Sequence, residues 1–402
     1  MISYIGRRIA ISLLILFGSS FLVYNLQAIA GDPLEALAQS TAQNKEYLMA
    51  RMIAQLQLDV PPPARYFLWL KGLAGIFVGQ PDFGLTREGS PVLDTIAGAV
   101  PITLRLVTSA TILAIFLGIS IGVLSAIRQY SRLDYTMTFI SFLFFSLPVF
   151  WIAVLLKQYM AIGFNDFLAI GQVSLTFQIG IALVVGLILA GFIGGGRKRF
   201  WISFGIAAVS LFGLLSLLNL LNWFQNPGLG IVLVTLFAGG IGITIAGLIM
   251  GFDNKVARKA ALSVVALGAV LYYPFNLIPG EWLNFWLVAL LGLVSVFAGA
   301  LVAGFWAKED RSALRRIGGI TAFSMGLILI LDKLMQVWNP YINSDAIGGR
   351  PVPTISSSND LLESSNYWWQ LMDVLLHLLL PTLGIMLISF AGYVRYARSS
   401  LL

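Results

Sequence analysis

Ten long apolar runs, with Lys and Arg in every inner segment between them and none in the short outer turns of the central block, constrain what this chain can fold into more than any other feature. The runs cover 9–30, 101–127, 135–163, 176–196, 200–222, 229–251, 260–279, 283–306, 317–338 and 374–394. About 20 apolar residues suffice for an α-helix to cross the hydrocarbon of a bilayer. The backbone must satisfy its own hydrogen bonds there, which leaves helices or a closed barrel. Runs this long read as helices, so the expected fold is all-α: a polytopic membrane protein of about ten transmembrane helices. Composition agrees, since 58% of the 402 residues are hydrophobic and only 11% are charged, outside the range of a soluble domain.

Basic residues set the expected orientation. With the N-terminus inside, 16 Lys and Arg fall on the inner side and seven on the outer side, counting Lys333 near the outer end of its run, while Arg105 and Lys157 lie within spans. This asymmetry predicts a cytoplasmic N-terminus and a cytoplasmic C-terminus. The net charge of +7 is explained by these loops, so nucleic acid is not an implied partner and the lipid bilayer is. Arg7 and Arg8 precede a first run with no small-residue cleavage site, which reads as a retained span and not a removed signal peptide.

The runs divide the chain into a first transmembrane helix (1–30), an external segment (31–100), two spans (101–170), a block of six spans (171–338), an external loop rich in Ser, Asn and Pro (339–370) and a last span (371–402). In the external segment, Leu34, Leu37, Leu48, Met52, Ile53 and Leu56 predict an amphipathic helix that Pro61, Pro62 and Pro63 end. Tyr66, Phe67, Trp69, Leu70, Leu73 and Phe77 suggest a helix lying on the membrane surface or packed within the external segment. Ser90-Pro91 predicts a further short helix before a span that begins at Pro101. Gly118 and Gly122 offer a face for close helix approach, and Pro148 predicts a kink in the third span. In the six-span block, basic turns at 197–199, 255–259 and 308–316 recur about every 55 residues, as a thrice-repeated hairpin would.

Little in the sequence carries catalysis. There is no cysteine and one histidine, so no catalytic residue, metal ligand set or cofactor site is expected. No phosphate-binding Gly-x-x-x-x-Gly-Lys-Ser/Thr occurs, the nearest approach being Gly191 to Arg197. Asp373 and His377, four apart on one helix face, can pair. They either border a functional path or form a satisfied pair between packed helices, the second being the simpler account. Ser146, Pro148 and Pro381 shape the third and last spans, as kinks or as walls of a cavity. Arg105 and Lys157 are read as snorkelling, with a substrate role as the lesser alternative, and Tyr367, Trp368 and Trp369 as interface anchors.

A set of short motifs, in order, carries a resemblance. Tyr4-Ile5-Gly6-Arg7-Arg8, Gly31-Asp32-Pro33, Asp82-Phe83-Gly84, Pro101-Ile102-Thr103-Leu104, Arg132-Leu133-Asp134, Ser146-Leu147-Pro148-Val149-Phe150-Trp151, and His377-Leu378-Leu379-Leu380-Pro381-Thr382-Leu383-Gly384 followed by Tyr393-Val394-Arg395-Tyr396-Ala397-Arg398 resemble the first, B-type permeases of ABC importers of the dipeptide, oligopeptide and nickel class. The resemblance covers roughly 1–170 and 370–402. It implies half of a translocation pathway in the cytoplasmic (inner) membrane, working by alternating access for peptides or a related small solute. It also implies a second homologous permease, two ATPase subunits that hydrolyse ATP, and an external substrate-binding protein. The chain departs from that pattern at 171–338, where the family has only a short external connection, so this block is expected to be an insertion. A cytoplasmic coupling loop and two spans would follow Leu402, with Arg395 and Arg398 on its approach. They would lie in a continuation of the chain or on another polypeptide. The alternative expectation is a noncatalytic membrane scaffold or accessory subunit of a larger complex.

Overall fold

The computed structural model describes residues 2–401 except 42, 87, 308, 309 and 363–365. Arg87 and Lys308, counted above in orienting the chain, lie outside the described residues. The protein is all-α: among the described residues nine helices are long and apolar enough to cross a membrane. A bent pair, Asp134–Ser146 with Val149–Ile170, makes a tenth crossing if it forms one span. The chain divides into two compact units, Met1–Arg105 and Leu106–Leu402.

The first unit holds α1 (Ile2–Ala30), α2 (Glu35–Ala38), α3 (Lys45–Leu56) and α4 (Pro62–Ala74). Tyr66 of α4 is fully buried. It sits edge-on to Phe21 and Tyr24 of α1, with ring centroids 5.2 and 5.5 Å away, and its Oη lies 2.8 Å from Ser20 Oγ. Helix α4 therefore packs on the first span and does not simply rest on a surface. The prolines do not end α3, which stops at Leu56 with Gln57 in a left-handed conformation (φ 53°). Instead Pro62 opens α4, where a missing N–H costs nothing.

Helix α5 runs unbroken from Val92 to Ile127 with Pro101 inside it. The separate short helix expected after Pro91 is thus the first turns of the span itself, with Pro101 accommodated inside it. In the second unit follow α6 (Arg132–Ser146), α7 (Val149–Leu155), a π-helical turn (Leu156–Ile162) and α8 (Gly163–Ile170). The expected kink at Pro148 is in fact a break of 104°. Proline pushes its predecessor out of the helical region, and Leu147 (ψ 132°) and Pro148 (ψ 140°) are both extended.

The six-span block comprises α9 (Leu175–Ile193), α10 (Arg197–Leu220), α11 (Gly230–Met250), α12 (Lys255–Leu277), α13 (Phe285–Gly304) and α14 (Arg311–Ile342). Helices α9 and α10 form a hairpin closed by Asn219, whose amide donates to Val173 O and whose Oδ1 accepts the Val173 N–H. Small residues build the bundle of α11 to α14. Ala246, Ala257, Ala260, Ala261 and Ala303 are fully buried. A Cβ on Gly299 would lie 2.5 Å from the Ala322 Cβ, so α13 and α14 meet backbone to backbone, as expected where lipid supplies no hydrophobic drive.

The last helix, α15 (Tyr367–Leu401), holds Pro381 within it. The α5 glycines pack on it: a Cβ on Gly118 would come within 2.5 Å of the Tyr393 Cβ, and one on Gly122 within 2.7 Å of the Ala397 Cβ.

Candidate functional site

Helix α7, which starts just after Pro148, and the Pro381 region of α15 face one space. A cleft of about 370 Å³ is lined by Val149, Ala153, Leu156 and Lys157 on one wall, and by His377, Leu380, Pro381 and Gly384 on the other. The π-helical turn begins at Leu156, and such turns re-aim side chains relative to a regular helix. Loop residues Pro353, Thr354, Ile355 and Ser356 complete the lining. The cleft is mostly apolar, with Lys157, His377, Thr354 and Ser356 supplying the polar groups.

The loop is strapped down at two points. Asn165 of α8 clamps the backbone of Val352: its amide donates to Val352 O at 2.9 Å, and its Oδ1 accepts the Val352 N–H at 3.1 Å. Nearby Arg350 pairs with Asp166 at 3.0 Å. At the other point Asp373 accepts the Asn359 N–H at 3.1 Å and the Tyr341 hydroxyl at 3.1 Å. His377 Nδ1 lies 2.8 Å from the Asp373 carbonyl oxygen and 3.3 Å from its Oδ1, and both side chains are buried. Asp373 and His377 therefore form the pair expected from their spacing, and they also tie the loop to α15. Of that pair only His377 reaches the cleft.

Pro381 lines the cleft, and Pro148 acts one residue away by setting the start of α7 at Val149. Ser146 does not reach it; its hydroxyl donates to Leu143 O on its own helix at 2.8 Å.

A second polar cluster joins α5, α6 and the end of α15. Buried Asp134 accepts from Ser125 Oγ, from the Tyr130 N–H at 3.0 Å and from Arg398 Nη2 at 2.9 Å. Arg398 Nε is also 2.8 Å from Asp134 Oδ1. Arg395 lies over the Phe145 ring, 4.0 Å from its centroid. Both arginines are thus bound to α6, which the sequence does not reveal for Arg398 because its partner lies 264 residues away.

Asp332 went unremarked among the apolar residues of α14, although an acid inside a span is itself a signal. It is fully buried and accepts from the N–H groups of Leu229 and Gly230, from Tyr272 Oη and from the Gln336 amide.

No family model matches this chain. The oligopeptide transport system permease protein AppB of Bacillus subtilis (strain 168) is 33% identical over 184 residues, covering 45% of this chain and 56% of the relative. The oligopeptide transport system permease protein OppB of Mycobacterium bovis is 32% identical over 183 residues, or 46% and 51% of the two chains. The dipeptide transport system permease protein DppB of Escherichia coli (strain K12) is 28% identical over 176 residues, or 43% and 50%. The chain spans about half the length of these curated relatives.

Proposed function

We propose, from the premise that this chain is a relative of peptide-transport permeases, that it is a permease subunit of an ABC importer for peptides or a related small solute. The similarity to several oligopeptide and dipeptide permeases carries this reading. The helical membrane fold and the cleft between α7 and α15 support it. In this reading the cleft contributes to one half of a translocation pathway. The loop at 353–356 lies at its outer mouth, and both chain ends of the described structure face the cytoplasm, as the basic turns favour. A second homologous permease supplies the other half, and an external binding protein delivers the solute. As the resemblance to ABC importers implies, two separate ATPase subunits drive the cycle of alternating access. Arg395 and Arg398, held against α6, would pass movement of the cytoplasmic side into α15. The membrane is the cytoplasmic (inner) one.

Purifying the natural full-length protein from gently solubilised membranes tests this. A second permease and an ATPase are expected to co-purify in stoichiometric amounts. Recovery without either, or with an unrelated enzyme complex, would contradict the importer reading and favour an accessory membrane scaffold.

A further inference from the structure

A cleft of about 840 Å³ in the first unit lies where α1 ends and the following helices fold back beside it. Its walls are Val23, Tyr24 and Ile29 of α1 with Leu56, Arg65 and Trp69. Three observations identify what fits there. The first is an unused donor. Arg65 Nη1 donates to the Leu56 carbonyl at 3.4 Å, whereas its Nε is buried with no hydrogen-bond partner among the described residues. A guanidinium N–H left in this way favours an anionic oxygen acceptor, phosphate above all.

The second is the position of the cleft. Val23 and Ile29 are 61% and 80% exposed on a helix of membrane-spanning length, so the cavity is continuous with an apolar surface that meets acyl chains. Tyr24 and Trp69 add the aromatic groups that favour the head-group level. The third is charge. Arg65 is the one cation of the lining and Asp32 the one acid, and Asp32 Oδ1 already accepts the Leu34 N–H at 2.8 Å. The Arg65 guanidinium beside long apolar walls matches one phosphodiester on an acyl-chain body, with the Asp32 carboxylate engaged by its own backbone turn.

We infer that this cleft binds a phospholipid, its phosphodiester on the Arg65 guanidinium and an acyl chain along the outer end of α1. The Leu56 carbonyl, which accepts from Arg65 Nη1, holds the guanidinium at the cleft. The inference rests on α1 being a membrane span and not on the transport reading.

The test is native mass spectrometry of the full chain released from nanodiscs containing phosphatidylglycerol and chain-matched diacylglycerol. The wild type is expected to retain one phospholipid in preference to diacylglycerol. Arg65→Gln is expected to lower that occupancy at least tenfold, and Arg65→Lys less. Val23→Trp, which fills the cleft from an exposed position without touching Arg65, is expected to expel the lipid while the melting curve stays unchanged; it decides the matter should the Arg65 variants unfold. Equal retention by wild type, Arg65→Gln and Val23→Trp would overturn the inference, as would equal retention of diacylglycerol. Displacement by chainless glycerol phosphate at the same concentration would also overturn it, by assigning the site to a free anion. Because uptake is not measured, failure here leaves the transport proposal standing.

Discussion

Asp332→Ala is expected to destabilise the protein by about 3 kcal/mol, measured as the shift in thermal or denaturant unfolding of the full chain in mild detergent. Hydrogen bonds between membrane helices average only about 0.6 kcal/mol each, because the unfolded chain in the membrane finds other partners. Asp332 exceeds that average because one carboxylate serves four donors at once: Leu229 N at 2.7 Å, Gly230 N at 3.0 Å, Tyr272 Oη at 2.7 Å and Gln336 Nε2 at 2.8 Å. Two of those donors are the N–H groups of Leu229, the residue capping α11, and of Gly230, its first residue, which a helix end leaves without partners of its own. Removing the acceptor strands Leu229 N, Gly230 N and Tyr272 Oη, while Gln336 Nε2 keeps the Tyr272 hydroxyl at 3.2 Å. Asp332→Asn keeps the shape but turns an NH₂ toward donors, so an intermediate loss is expected. Wild-type stability in Asp332→Ala would show that the cluster does not hold α11, α12 and α14 together.

The second large effect is expected at Asp134, where a double-mutant cycle with Arg398 is the informative measurement. Asp134→Ala is expected to cost about 3 kcal/mol, in the range for breaking a buried pair. It strands the Ser125 hydroxyl and the Tyr130 N–H as well as the guanidinium. Arg398→Ala is expected to cost only about 1–2 kcal/mol. Its side chain is 30% exposed, against 2% for Asp134, so solvent screens the pair from that side. Asp134 also keeps its other donors. A coupling of about 1–2 kcal/mol between the two sites is expected. Additive losses would mean that the two side chains act independently and that α15 is not pinned to α6 through this pair.

Much of the helical layout was legible because lipid imposes a simple demand: a run of about 20 apolar residues has few alternatives to a helix. The runs at 176–196 and 229–251 correspond to α9 (Leu175–Ile193) and α11 (Gly230–Met250). The close approach at Gly118 and Gly122 was legible for a related reason, since small residues four apart mark where two helix backbones can meet. Angles were not legible. Pro148 announces an interruption, but whether a proline kinks or breaks a helix depends on the conformation of its neighbours. Pro101 leaves α5 continuous, whereas Leu147 and Pro148, both extended, turn the chain through 104°.

Long-range polar partners were illegible for another reason. The Asp373–His377 spacing lies within one helix turn and shows directly in the sequence. The donors of Asp332 come from Leu229, more than 100 residues earlier, and the partner of Arg398 is on α6. Nothing local marks either pairing. The clamp of Asn165 on Val352, which fixes the loop over the cleft, is hidden in the same way.

On the proposed permease reading, passage of solute through the cleft between α7 and α15 is tested most directly by peptide uptake in cells carrying the full-length protein with the proposed partners. Ala153 lines that cleft and is itself exposed, so Ala153→Trp fills it without disturbing a packed core. Uptake of a labelled oligopeptide is expected to fall at least tenfold, with assembly and protein level unchanged. Uptake at the wild-type rate in Ala153→Trp, with the tryptophan protein present in the assembled complex, would contradict the placement of the pathway.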